Sequence, residues 1–190
     1  MNNPAYIATE EMGIVVENTR LALEARFPGE WPVLNYQIGY VSELNQTLQQ
    51  FARTKTYAEI KFPCFWFAQP FSMFRGESGW YASLTDMRAF IIMETGKNYK
   101  ALERMEKVFK PVIYPIYNEW LIQLKKHPAF FVPQTSLLQH KIVDRFFWGE
   151  KQQTVITDIV DVREISGFDM KLNNNPNCDP VAKQQVIQQL

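Results

Sequence analysis

The chain of 190 residues has the length of one domain, or of one domain with extensions. Twenty Lys and Arg balance twenty Asp and Glu, which argues against a generally polycationic nucleic-acid binder but leaves room for a local basic stripe. At 46% hydrophobic and 21% charged residues the chain is too apolar for disorder, and no run of about eighteen apolar residues predicts a membrane span.

Two cysteines, Cys64 and Cys178, cannot form a disulfide framework or, on their own, a four-ligand zinc site. The start, Met1-Asn2-Asn3-Pro4, lacks the charged and apolar regions of a secretory signal, so folding in a reducing cytoplasm with free thiols is expected. Aromatic residues reach 14%, and rings of this size supply buried area in cores and in subunit contacts.

The first predicted element is a helix from Thr9 to Phe27. Thr9 can cap it, Glu10 and Glu11 suit its first turn, and Met12, Val15 or Val16, Thr19, Leu23 and Phe27 follow helical spacing. Pro28-Gly29-Glu30-Trp31-Pro32 stops it, and Val33 to Tyr36 reads as a short strand. A second helix is expected from Val41 or Ser42 to Ala52, with Leu44, Leu48 and Phe51 as its apolar stripe. Arg53 to Glu59 reads as a loop. The ring-dense run from Phe62 to Phe71 suits a strand buried on both faces and bounded by Pro63 and Pro70.

Phe74 to Gly79 is expected to turn. Trp80 to Met93 is the strongest strand signal, and Arg88 is the exception in its apolar second half. From Asn98 to Lys126 apolar residues step by three and four, with Glu103–Lys107 and Glu106–Lys110 as favourable pairs. Pro111 and Pro115 interrupt this pattern, which predicts two helices or one sharply kinked helix broken between Phe109 and Ile116. Phe130 to Lys141 is loop-like, Asp144 to Gly149 reads as a strand, and Thr154 to Leu172 as one or two strands with Ser166-Gly167 as a bulge. Asn173-Asn174-Asn175-Pro176-Asn177 links to a Gln-rich tail.

The search for catalytic sets returns nothing specific. Cys64, His140 and Asp144 are the residue types of a thiol triad, but Cys64 sits in Phe-Pro-Cys-Phe-Trp-Phe, where burial raises a thiol pKa and favours a structural cysteine. The two histidines, His127 and His140, have no metal-ligand spacing. The acids Asp158, Asp161, Glu164 and Asp169 alternate with Ile159, Val160, Val162 and Ile165 as on a strand with a wet face. No phosphate-cradling glycine loop and no nucleophile elbow is present. Catalytic, cofactor-binding and metal-binding residues are therefore not assigned. Two other sets are. Lys97, Lys100, Arg104 and Lys107 fall on one side of a helix, as a solvated face or as the lining of a channel. Phe71, Phe74, Trp80 and Tyr81 cluster about a predicted loop, where exposed rings mean contact with another subunit.

The run from Met93 to Phe130, with KVFKPVIYPIYNEW at its centre, the downstream DRFFWGE (Asp144 to Glu150) and DIVDVREISGFDMKL (Asp158 to Leu172) resemble small structural proteins in phages and prophages of Bacteroides-type hosts. NYQIGYVSELNQTLQQF and KFPCFWF upstream fit the same pattern, so the similarity spans roughly Val33 to Leu172. The family is that of tail-terminator or neck proteins, the ring-forming connectors between capsid and tail. The resemblance implies an α+β fold, a mixed or antiparallel sheet with helices packed on one face. It also implies a closed ring of six or twelve copies, with portal, neck or tail proteins as neighbours and DNA passing nearby without sequence-specific binding.

The expected organisation is an N-terminal helical arm (1–30), a ring-forming α+β domain (31–172) and a C-terminal tail (173–190), with both ends docking on neighbouring subunits or rings. The expected function is that of a non-enzymatic virion protein, assembled in the host cytoplasm, with no cofactor and no membrane. Two rivals come from other classes. One is a small cytoplasmic enzyme with a pocket between the Phe62–Phe71 and Met87–Met93 strands. The other is a modest DNA-binding module using the Lys97–Lys107 stripe.

Overall fold

The computed structural model describes residues 4–29, 31–44, 46–48, 61–75, 81–131, 140–146 and 159–173. The chain forms helix α1 (Pro4–Arg26), strand β1 (Asn35–Tyr40), a 3-10 turn (Val41–Glu43), and strands β2 (Cys64–Gln69), β3 (Ser72–Arg75) and β4 (Tyr81–Glu94). Helix α2 (Ala101–Arg104), a π-helix (Met105–Ile113) and helix α3 (Tyr114–Lys126) then run on without interruption, followed by β5 (Phe130–Phe131), β6 (Lys141–Arg145) and β7 (Val160–Asn173).

The strands build one mixed sheet in the order β1-β2-β4-β7-β5, with β3 also paired to β4 and β6 to β7. The β1–β2 pair is parallel and every other pair antiparallel. The fold is thus α+β, as the resemblance implied. The two 14-residue strands β4 and β7 form its spine, each long enough to pair with two shorter strands end to end on its far side.

Side chains of a strand alternate between faces, so each strand feeds two cores. On the first face Phe65, Phe67, Leu84, Met87, Ala89, Ile91, Ile165, Phe168, Met170 and Leu172 pack against Met12, Val15, Val16 and Leu23 of α1 and Ile116, Trp120 and Leu124 of α3. On the second face Cys64, Trp66, Ala68, Phe90, Ile92, Val160 and Val162 lie with Leu44 and Leu48. β2 feeds both, which explains its unbroken apolar run.

Leu84 and Met87, three apart, point to the same face, as do Ile165 and Phe168. A strict period of two forbids this, and two bulges resolve it. Between the pairs Leu84↔Met170 and Met87↔Phe168 β4 has one residue more than β7, and Asp86 there has φ 59°. Between Met87↔Phe168 and Arg88↔Ser166 the extra residue is Gly167 of β7, with φ 66°. The Ser166-Gly167 bulge was legible in the sequence; the one at Asp86 was not.

Two expectations are corrected. The N-terminal helix is not a free arm. It starts at Pro4 rather than Thr9, and its Ala8, Met12, Val15, Val16 and Leu23 are buried in the same core as the sheet. Trp120 donates its ring N–H to Met12 Sδ at 3.4 Å, and Tyr36 donates its hydroxyl to the Thr9 carbonyl at 2.7 Å. The helical stretch around the prolines does not divide into two separate helices. It is wound as a π-helix over Met105–Ile113, whose last turn closes from the Tyr114 N–H to the Phe109 carbonyl, five residues back. Pro111 has no N–H to give, and the wider turn carries it inside the helix, while Pro115 sits at the start of α3 where a missing N–H is tolerated. The C-terminal tail after residue 173, the 53–59 loop and Cys178 lie outside the described residues.

Candidate functional site

The four rings expected at a subunit contact do not stay together. Phe71 packs against the first-face core, its ring centroid 5.4 Å from that of Phe67, so it belongs to the interior. Phe74 lies on β3 and is 64% exposed, among the most exposed large apolar side chains described. Tyr81 begins β4, but its side chain, like all of Trp80, lies outside the described residues.

The basic stripe also divides. Lys97, Lys100 and Lys107 are exposed, whereas Arg104 is fully buried. The helix begins only at Ala101, so Lys97 and Lys100 occupy the preceding turn and helical spacing does not apply to them. Arg104 turns inward because Asp161 of β7 lies there. Its Nη1 meets Asp161 Oδ1 at 2.6 Å, both side chains being 0% exposed. Its other N–H groups bond to Thr95 Oγ1 and to the carbonyls of Gly96 and Tyr99. A buried guanidinium needs this degree of satisfaction. Lys107 sits 4.3 Å from the Tyr99 ring centroid and 3.5 Å from Glu103 Oε1, an ordinary solvated arrangement.

Cys64 is buried on the second face, and burial pushes its thiol up to about 12. Asp144, by contrast, braces the first face with Arg163, so the two are held apart by the sheet and the triad types are not assembled. Among the described residues no group of three or more His, Cys, Asp or Glu is placed to hold a metal ion. No helix there is long and apolar enough to cross a membrane.

Two constellations were missed by the sequence reading. In the first, Arg163 grips Asp144 with Nε and Nη2 at 2.7 and 2.8 Å, and its guanidinium lies over the rings of Tyr114 and Tyr117, 4.2 and 4.8 Å from their centroids. Tyr114 donates to Asp144 Oδ2 at 3.1 Å, and the Tyr117 hydroxyl lies 2.5 Å from His140 Nε2. Burial raises the pKa of both tyrosines, and Asp144 adds to the effect at Tyr114. They stay protonated at neutral pH, and the set works as a brace between β6, β7 and the helical run.

In the second, Glu164 on the opposite face accepts from Arg88 Nη2 at 2.8 Å and from Arg145 Nε at 2.8 Å and Nη2 at 2.6 Å. Burial pushes this carboxyl up, but the two arginine hydrogen bonds outweigh burial and hold it below the usual carboxylate range. The wet face expected for the acids of β7 is therefore wrong at two positions: Asp161 and Glu164 are buried, on opposite faces, each held by arginine. Arg88 breaking an apolar run was the one available signal, because an arginine inside a strand asks for an acid beside it.

No protein-family model matches the chain, and neither curated proteins nor solved structures provide a similar relative.

Proposed function

We propose that the protein is a non-enzymatic structural component of a phage neck or tail. In this reading copies assemble head to tail into a ring that joins neighbouring rings of the virion and surrounds the DNA path. The sequence pattern centred on KVFKPVIYPIYNEW motivates it. The structural observation that carries it is the unlikeness of the two sheet edges. β1 lies at one edge with Ile38 and Tyr40 exposed at 44% and 50%. β6, paired within the described sheet to β7 alone, exposes Ile142 at 40% near the other edge. Strand edges left unpaired among the described residues, with outward apolar side chains, invite pairing, and two different edges favour heterologous contacts, which close into a ring when the rotation between copies closes. Phe74 adds an aromatic anchor away from both edges.

For the enzyme rival, the two strands expected to flank its pocket, β2 and the second half of β4, are hydrogen-bonded neighbours in register from Cys64↔Ile92 to Ala68↔Arg88, which speaks against a pocket between them. The ring is tested by negative-stain microscopy and light scattering of the purified chain. Closed rings of six or twelve copies are expected. A chain that remains monomeric at high concentration, with and without DNA, overturns the reading.

A further inference from the structure

The second face of the sheet is dry for only half its length. Phe90, Ile92, Val160 and Val162 lie with Leu44 and Leu48. Beyond them the same face carries two polar rows. Arg88, Ser166 and Lys141 stand side by side across β4, β7 and β6, and Phe74, Ser83 and Lys171 across β3, β4 and β7. Phe74, Arg88, Lys141 and Lys171 are all exposed.

The described charges on this half-face are Arg88, Lys141, Arg145 and Lys171 against Glu164, Asp169 and Asp86, the last in the bulge of β4 opposite Asp169. Glu164 is buried beneath its two arginines. Asp169 Oδ1 takes the backbone N–H of Asp86 at 3.2 Å. Neither lysine has an ion-pair partner among the described residues. With Glu164 buried, the four cations outnumber the two exposed acids, Asp86 and Asp169, and this surface lies apart from the Lys97–Lys107 region next to the helices.

We infer that this open half-face binds a single-stranded nucleic-acid segment, with phosphates on Lys141, Lys171 and the arginine N–H groups left over by Glu164, and a base stacked on Phe74. Strands in a sheet lie about 4.8 Å apart, so Phe74 and Lys171, two strands from each other, stand about 10 Å apart, as do Arg88 and Lys141. That spread suits an extended chain laid across the strands. Glu164 fixes Arg88 and Arg145 in place, so their remaining donors are pre-organised for an anion. An aromatic platform flanked by cations on a sheet surface is the general chemistry of unpaired-strand recognition. An acidic protein surface would use the same cations and ring, and the polyglutamate arm of the test below separates it from the oligonucleotide. The inference goes beyond the connector reading and concerns the isolated chain, with or without a ring.

The test is fluorescence anisotropy of a labelled oligothymidine of about sixteen nucleotides, titrated with the full chain at several salt concentrations. Binding at low salt is expected. Lys141→Glu with Lys171→Glu should weaken it at least tenfold, and the charge-neutral Lys141→Gln with Lys171→Gln should act in the same direction. The neutral pair should flatten the plot of log affinity against log salt by about 1.4, two phosphate contacts at roughly 0.7 each. Phe74→Ala should weaken binding about fivefold or more and leave that slope unchanged. Lys97→Glu with Lys100→Glu and Lys107→Glu should change affinity less than twofold. Circular dichroism verifies that each variant is folded. The inference fails if the folded wild-type chain does not bind at low salt, if the Lys141 and Lys171 variants bind as well as wild type, or if the helix-side variant loses as much. It also fails if the chain binds polyglutamate and not the oligonucleotide, an outcome that assigns the face to an acidic protein.

Discussion

The strands β4 and β7 support arginine–carboxylate centres on both sides of the sheet, and Arg104–Asp161 on one side and the Glu164 cluster on the other differ chiefly in their access to water. On the helix-covered face Arg104 and Asp161 are both 0% exposed, and the guanidinium is further held by a hydroxyl and two carbonyls. On the other face Glu164 is buried but Arg88 and Arg145 remain 46% and 34% exposed. The first centre is closed: it joins the end of β4, the turn after it, the start of the helical run and β7, and offers nothing outward. The second keeps donors in solvent. The same chemistry serves as a structural lock on one face and as a surface on the other, and burial decides which.

The largest expected effect tests the lock. Arg104→Met strands the Asp161 carboxylate in the core, which should cost about 3–5 kcal/mol. Thermal unfolding should then shift down by about 6–20 °C for a chain of this size. Arg104→Met with Asp161→Leu should recover much of that loss, because the buried charge goes with its partner. Arg88→Met on the other face should cost no more than about 1 kcal/mol, since Arg145 still holds Glu164 and Arg88 is half in water. Equal losses from Arg104→Met and Arg88→Met would erase the contrast between the faces.

A second expectation sharpens the difference between a core helix and an arm. Met12 of α1 is fully buried and accepts from the Trp120 ring N–H. Met12→Ala should destabilise the chain by about 2–5 kcal/mol in denaturant titration. A docking arm would lose assembly and keep its stability. Unchanged unfolding in Met12→Ala would return α1 to the role of an arm.

A third concerns pH. His127 is buried beside Glu11, its Nε2 3.4 Å from Glu11 Oε2, and burial lowers its pKa to about 4. The folded state therefore prefers the neutral ring. Its contribution is fully present above the unfolded value of about 6.5 and is lost as pH falls from there to about 4, because only the unfolded chain takes up the proton in that window. Burial raises the Glu11 pKa, which acts in the opposite sense: this carboxyl favours the folded state when protonated and weighs against it as pH rises. Thermal unfolding followed between pH 6.5 and pH 4 should show a falling midpoint, and His127→Gln should flatten that fall. An unchanged slope would remove His127 as its cause.

The parts of the fold that were legible in the sequence are those set by local pattern. The apolar run of Phe62 to Phe71, the long strand at Trp80 to Met93 and the Ser166-Gly167 bulge each announce themselves through residues adjacent in the chain. What was not legible depends on residues far apart. Arg104 reads as one cation of a surface stripe until Asp161, 57 residues on, is brought beside it. Phe71 reads as an exposed loop ring until β2 and β3 turn its side chain onto Phe67. The prolines at 111 and 115 read as breaks because a proline in an α-helix removes a bond and clashes with the preceding turn. The chain instead widens that turn, with Val108, Phe109 and Ile113 of the π-helix buried against the sheet.

The smallest expected effect on stability falls on the most outward residue of the open face. Phe74 lies on β3, paired across from Ser83, with nearly two thirds of its surface in solvent. Phe74→Ala removes little buried area, so unfolding should move by no more than about 0.5 kcal/mol. A monomer gains almost nothing from a phenylalanine there; water would accept a polar residue more readily at the same strand position. The residue therefore matters, if at all, in contact with something outside the chain, and the same substitution should weaken ring assembly in light scattering or oligonucleotide binding in anisotropy. The two readouts separate its roles, since a subunit anchor affects the first without DNA present and a stacking platform affects only the second. A stable Phe74→Ala chain that assembles and binds as the wild type does would leave the open face without its aromatic anchor. Lys141 and Lys171 would then be ordinary solvated charges, and the contrast between the two faces would reduce to burial alone.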